Sequence, residues 1–513
     1  MTTPGDRTAR RPRVLTTFLI AVAYLAVMAA TNTRFTLLDD ECRIVGIAGR
    51  PIESTLGLYF SGNGLQEQHP PLSNVLLHLW LVATHYSFFA LRIFANLFYI
   101  AGILLIADCA FKIKGRQAYL TTLALGLLWP FAFQYGRITG WYSLSFFLVS
   151  WVTWGYLTLL EDRGSLHWPE FAAASVLLVW TNYFGALILL LLFADFWKFH
   201  RKLAAERWRS VVATVVVVML ASLPLVKIAL QDMASNAAMN VDQSWRGKIV
   251  EAVFPVFAIF GSVAVAPWFF PLSLPVAIAT LVLLPLIWFS VGRRWLIYFS
   301  LTISSLELSH ALMIKRVLFL LPWLFLAMGL AAFGSPPLNA RMTRGALIVL
   351  LVCGWTGILW GKHYAISNLY EPWDRISRSV AQDARMGATI VSFNAPFFLY
   401  FDYQLGIGSE TKDSDGPYLG ESTYRSHGYS ILYPDQNQPN AGSIRGKVVL
   451  VEGTGWIDDV QAQATLDATL RARCRIIGEY RAAPDPAAEW KQRYFRRVPV
   501  LAYRSDVVWL DCP

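Results

Sequence analysis

A succession of about eleven apolar runs, most near the roughly 20 residues needed to cross about 30 Å of hydrocarbon, constrains this chain more than any other feature. They are Val14–Thr31, Ala90–Phe111, Gln117–Tyr135, Tyr142–Leu160, Trp168–Trp180, Tyr183–Phe199, Ser210–Ile228, Leu272–Val291, Trp295–Leu312, Val317–Phe333 and Gly345–Gly361. The chain is 55% hydrophobic and only 15% charged. A soluble globular protein is nearer a quarter charged, so disorder, a coiled coil and a disulfide scaffold are excluded. The reading is a polytopic α-helical membrane protein.

The loops test that reading independently. Met1–Arg13 holds four arginines and one acid ahead of the first run. No small-residue cleavage site followed by a soluble domain marks this run as a signal peptide, so it is read as a first span with a cytoplasmic N-terminus. Lys112–Arg116, Arg163, Lys198–Arg209, Arg293-Arg294 and Arg341–Arg344 then all fall on the N-terminal side. That alternation follows the positive-inside rule and gives about 11 spans, with a range of about 11–13. Val250–Phe270 carries Glu251, Pro255 and Pro267 and is read as a helix on or dipping into the outer face. The net charge of +10 is accounted for by these loops, and no nucleic-acid motif accompanies it.

The acids divide the chain. Of 34 Asp and Glu, 18 follow Gly361. Residues 1–361 are therefore expected to form a membrane domain, with a long first outer loop at 32–89 whose apolar part, Pro71–Val82, is an interfacial helix. Residues 362–513 are expected to form a small extracytoplasmic α/β domain. Its strands are read at Ala388–Phe393, Lys447–Val451, Cys474–Tyr480 and Val498–Leu510, and its helices at Trp373–Arg385 and Trp456–Arg473. Cys474 and Cys512 both lie in this tail, and whether they pair is open.

Chemistry-bearing residues gather at the outer face. Asp39-Asp40-Glu41 follows the first span, and three acids at a membrane edge need solvent, a partner or a substrate. A carboxylate there can deprotonate an acceptor hydroxyl. His69 precedes a Pro-Pro pair that suits the start of a helix. Arg92, Arg137, Lys315 and Arg316 are cations at outer helix ends, against the positive-inside trend. An anionic lipid phosphate is their natural ligand. Glu307 and His310 are one turn apart near the outer end of a span, where an ionisable pair is a functional hypothesis; a salt bridge to Lys315 or Arg316 is favoured over a metal. No phosphate-binding loop, GxSxG, CxxC pair or dinucleotide fingerprint is present.

Taken in order, these pieces resemble the GT-C glycosyltransferases, in particular the dolichyl-phosphate-mannose protein mannosyltransferase and aminoarabinose transferase group. Asp40-Glu41 matches that group's acidic pair, His69-Pro70-Pro71-Leu72 its (Q/H)PPL segment, and Arg92 the arginine that follows. Tyr142-Ser143-Leu144 matches the end of an aRxYxL segment, and Lys315-Arg316-Val317-Leu318 with Pro322 resembles RYLLPxxP. Glu371–Arg375 resembles a segment that often opens the outer domain. Three positions depart from the pattern. Gly140 replaces the arginine of aRxYxL, with Arg137 three residues earlier. Thr181-Asn182-Tyr183 stands in place of a His-Tyr pair, and Val317 in place of a tyrosine.

The resemblance implies an inverting sugar transfer from a polyprenyl-phosphate donor to an acceptor hydroxyl at the outer face of a bacterial cytoplasmic (inner) membrane. It implies Asp40 as general base, Asp39 and Glu41 as orienting acids, and Arg92, Arg137, Lys315 and Arg316 on the donor phosphate. His69, Tyr142, Asn182, Tyr183, Glu307 and His310 would line the substrate site. Members of the superfamily differ in metal use, so a divalent cation at the acids stays open, and no metal ligands are assigned. The expected partners are the sugar donor, membrane lipid and a glycan, lipid or protein acceptor. The rival readings are a transporter or flippase of lipid-linked glycan and a non-catalytic member that only binds it.

Overall fold

The computed structural model describes residues 6–32, 39–49, 51–60, 69–85, 87–161, 167–238, 253, 255–262, 270–308, 314–334, 336–360, 373–392, 424–426, 429–432, 444–453, 460–481 and 505–513. The chain divides into two compact units. One comprises Met1–Thr33, Gly57–Ser73 and Phe88–Ile358; the other comprises Arg34–Leu56, Asn74–Ser87 and Leu359–Pro513.

The first unit is a helical bundle. Its centre is α5 (Phe88–Lys114) and α8 (Trp141–Glu161), packed along their length. They approach closely because Gly102 lacks a Cβ: one built there would lie 2.6 Å from the Phe146 ring. Phe98 meets Phe147 at 5.6 Å and Tyr99 meets Phe146 at 4.9 Å across the same seam. α8 is buried on nearly every side, as an apolar helix without a polar face must be. By contrast α1 (Asp6–Asn32) and α12 (Trp208–Ala238) present Phe18, Leu19, Met219, Leu220 and Leu223 outward. Apolar exposure of that kind suits lipid, and so does Pro224 inside α12.

Within the described residues each apolar run is largely helical, and two of them change geometry along their length. Gln117–Tyr135 is broken into α6 (Arg116–Leu128) and α7 (Pro130–Tyr135). Pro130 disfavours helical geometry in the residue before it, and Trp129 is extended at ψ 118°. Val317–Phe333 begins as a 3₁₀ turn, Ile314–Leu320, before a later helix, Leu321–Ala331. Between them lie α9 (His167–Val179), α10 (Gly185–Phe199), α11 (Arg201–Glu206), α13 (Phe270–Trp288) and α14 (Arg293–Leu308). The Leu321–Ala331 helix is α15, and α16 (Pro337–Trp360) follows it. Residues 255–260 are helical, within the stretch expected at the outer face. Six helices among the described residues are long and apolar enough to cross a membrane: Leu15–Asn32, Ala90–Lys114, Trp141–Glu161, Trp208–Leu230, Pro271–Trp288 and Pro337–Leu359.

The second unit joins first-loop segments to the tail. It holds α2 (Asp39–Ala48), the first half of α3 (Ile52–Phe60) and most of α4 (Leu72–Ala83), tied by side chains onto helix ends. His78 Nδ1 bonds the Ala48 carbonyl at 2.8 Å, and Thr55 donates to that of Ile47 at 3.1 Å. The tail holds α17 (Trp373–Arg385) and α18 (Val460–Arg473) with a six-stranded sheet, order β2-β3-β1-β4-β6-β5. The strands are β1 (Thr389–Ser392), β2 (Tyr424–Ser426), β3 (Tyr429–Leu432), β4 (Gly446–Gly453), β5 (Arg475–Arg481) and β6 (Ser505–Cys512). β1 is parallel to β3 and β4, while β2–β3, β4–β6 and β5–β6 are antiparallel. Val391, Leu450, Leu466, Leu470, Val508 and Leu510 fill the core of this sheet.

Cys474 and Cys512 form a disulfide across a sequence separation of 38. A closed loop of that length restricts the unfolded chain by about 4 kcal/mol in the entropic account. Cys474→Ala is therefore expected to lower the thermal midpoint of the full chain in detergent. Dithiothreitol should do the same to the wild type and leave the variant unmoved. An identical midpoint in all four samples would contradict the stabilising role.

β4 carries a carboxyl that titrates near neutrality. Burial, a hydrogen bond with Asp467 and the charges of Asp467 and Asp506 push Glu452 up to about 8, against the opposing pull of Arg471. Folding thus retains a proton that the unfolded chain releases at ordinary carboxylate pH. The resulting stability is complete below the unfolded value of 4.5 and is lost as pH rises through about 8. The thermal midpoint should fall as pH rises from about 5 to about 8 and level off above that. Glu452→Gln should flatten that fall, and a slope unaltered in the variant would exclude Glu452 as its source.

Candidate functional site

The acid trio opens a helix. Asp39 and Asp40 begin α2, where a carboxylate complements the positive end of the helix dipole, and their side chains lie outside the described residues. Glu41 is fully buried, so the trio is not simply a solvated loop.

The two arginines at the start of the bundle both reach the C-terminal end of α1. Arg92, on α5, is buried and donates through Nη1 to the Asn32 carbonyl at 3.2 Å. Arg137 lies between α7 and α8 and is also buried. Its Nε donates to the Phe133 carbonyl at 3.0 Å, Nη1 to Thr31 Oγ1 at 2.9 Å and Nη2 to Met28 Sδ at 3.3 Å. The guanidinium sits 4.1 Å from the Phe133 ring centre. Three sides of this charge are thus already held by protein. Gly140, where the family pattern has arginine, has φ 137°, a conformation that side-chain-bearing residues rarely adopt. An arginine there would be strained, which gives the departure a backbone reason.

A second group forms around Trp141, which sequence reasoning missed. His69 lies 4.4 Å from the Trp141 ring, Tyr142 at 4.4 Å and Phe319 at 6.3 Å. The His-Pro-Pro segment is bonded through Leu72 N, which donates to the Trp180 carbonyl at 3.2 Å, two residues before Asn182. Asn182 is buried, and its Oδ1 accepts from Phe184 N at 3.0 Å, capping the entry to α10. Tyr183 follows, half-buried. Phe319 belongs to the 3₁₀ turn, which packs on α8 and also carries the buried Arg316. The structure therefore brings His69, Tyr142 and, through Phe319, the Arg316 turn around one indole. The signal for Trp141 was only its place beside Tyr142; no periodicity distinguishes it from core.

The side chains of Lys315 and Glu307, and all of His310, lie outside the described residues, as does the salt bridge expected among them. Among the described residues no three His, Cys, Asp or Glu side chains converge as a metal site would require.

Two solved structures share this arrangement of elements over nearly the whole of both chains. One is ArnT, an aminoarabinose transferase, from Cupriavidus metallidurans in the apo state, with TM-score 0.54, 12% identity and 98% of each chain covered. The fold is of the GT-C type. The same Cupriavidus protein bound to undecaprenyl phosphate matches with TM-score 0.51 and 12% identity, over 97% of this chain and 98% of that one. No protein-family model and no curated protein matches the chain. At this identity the GT-C likeness is one of fold, and the site residues above are this chain's own.

Proposed function

We propose that the chain is an inverting glycosyltransferase that moves a sugar from a polyprenyl-phosphate donor to an acceptor hydroxyl at the outer face of the inner membrane. The observation that carries this reading is the GT-C fold holding, in family order, an acid trio, a His-Pro-Pro segment and buried arginines. The neighbour captured with undecaprenyl phosphate supports a donor of that class. The helical part, 1–361, crosses the membrane about 11 times with its N-terminus in the cytoplasm. The tail, 362–513, lies outside, and its disulfide suits an oxidising compartment.

Asp40 takes the proton of the acceptor hydroxyl, whose oxygen bonds to the anomeric carbon as the bond to phosphate oxygen breaks. One displacement inverts that carbon, and the polyprenyl phosphate leaves with the electron pair. Arg316 and Lys315 stabilise the growing phosphate charge. Arg92 and Arg137, engaged by α1, add to the positive field and fix the outer end of the first span. Asp39 and Glu41 orient the acceptor side.

Membranes containing the protein should transfer sugar from a polyprenyl-phosphate-linked donor, and mass spectrometry of a deletion strain should show a glycan lacking that sugar. A complete glycan set, or build-up of an inward-facing precursor, would remove the transferase reading. Arg316→Ala should weaken donor binding by about tenfold or more, as loss of a charge-assisted contact does. Unaltered affinity would count against its phosphate role.

A further inference from the structure

Trp141 stands apart from the other tryptophans of the bundle. Trp129, Trp180 and Trp355 donate their indole N–H to the carbonyls of Ile259, Ala221 and Leu128. Trp151, Trp154 and Trp323 donate to Glu170, Asp108 and Thr153. Buried indoles ordinarily find such partners. Trp141 is 2% exposed, and its Nε1 is the one buried indole nitrogen among the described residues with no protein acceptor. Its ring neighbours, His69, Tyr142 and Phe319, do not accept from this nitrogen.

A second orphan lies on the turn to which the His-Pro-Pro segment is bonded through Leu72. Asn182 uses its carbonyl oxygen on Phe184 N, which leaves its amide nitrogen buried and without a partner. Both orphans are donors. A ligand that satisfies them must bring acceptor oxygens, and the buried cation on the 3₁₀ turn packed against α8 selects for negative charge on those oxygens.

We propose that the indole N–H of Trp141 donates a hydrogen bond to a phosphate oxygen of the lipid-linked donor, so that Trp141 is a donor-binding residue. This rests on the polyprenyl-phosphate donor of the proposed function. The unbound protein leaves the N–H unsatisfied, and binding supplies its acceptor. Losing the N–H therefore weakens binding without weakening the fold.

The test measures undecaprenyl phosphate binding to the full-length protein in detergent, alongside the thermal midpoint of the unliganded protein. Trp141→Phe should raise Kd by about tenfold, as loss of a bond to a charged acceptor does, with the midpoint unchanged or higher. Replacing Trp141 with benzothienylalanine keeps the shape and removes only the N–H, so it gives the same answer should Trp141→Phe disturb packing. Unchanged affinity in the benzothienylalanine variant overturns the proposal, as does a lowered midpoint with intact binding, which would assign the N–H a structural role. Wild-type protein that fails to bind undecaprenyl phosphate removes the donor reading itself, a distinct result. Because this probe carries no sugar, loss of affinity for it places the contact on the phosphate.

Discussion

Asp40→Asn should lower sugar transfer by about 10²–10⁴-fold, the usual contribution of a general base, while expression, thermal midpoint and donor affinity stay at wild-type levels. Asparagine matches aspartate in size and hydrogen-bonding reach, so the first turn of α2 is preserved. What it lacks is the capacity to take a proton. The loss should therefore fall on kcat, with KM for the donor unaltered. Asp39→Asn should cost less, since it orients rather than accepts. Glu41 is fully buried, so Glu41→Gln should register in stability as well as in rate. Assays with a polyprenyl-phosphate sugar in membranes decide the matter: Asp40→Asn with unchanged turnover would take Asp40 out of the mechanism.

Asp195→Ala should destabilise the bundle by about 3–5 kcal/mol, the cost of stranding one half of a buried ion pair. The Asp195 carboxylate, on α10, is fully buried and accepts from three sides. Arg294 of α14 pairs with it, and the hydroxyls of Tyr156, on α8, and Tyr298, on α14, donate to it. Arg294 also donates to both tyrosines, at 2.9 Å to Tyr156 and 3.1 Å to Tyr298. One carboxylate thus fastens three helices. Removing it leaves a partly buried cation and two hydroxyls without their acceptor. The double substitution Asp195→Leu with Arg294→Met should be less damaging than Asp195→Ala, because no charge is then stranded. Unfolding midpoints in detergent test both statements; an unshifted midpoint for Asp195→Ala would show that the network contributes nothing net.

Much of the architecture was legible along the chain. Apolar runs become helices because a backbone within lipid must satisfy its own hydrogen bonds, and that need is local. α17 was read with its observed bounds, Trp373–Arg385, because its polar and apolar residues alternate at helical spacing. β2 and β3 were not foreseen. Each is three or four residues long and is held by pairing with β1 or with the other, which no local pattern records. Helix α18 is described over Val460–Arg473, and the first four residues of the expected helix, 456–459, lie outside the described residues. The sequence marked Arg293-Arg294 as an inner loop, whereas Arg294 is spent on Asp195, 99 positions earlier, in a contact that charge counting along loops cannot find.

Sequence alone determined the class, many apolar helices followed by a tail richer in acids, since hydropathy and charge act through nearby residues. Tertiary structure decided the pairings. It joined Cys474 to Cys512, turned Arg92 and Arg137 onto the end of α1, and gathered His69, Tyr142 and Phe319 of the Arg316 turn around Trp141. Those outcomes depend on which distant side chain arrives to satisfy a buried donor, acceptor or charge. That is a property of the packed bundle and not of any segment within it.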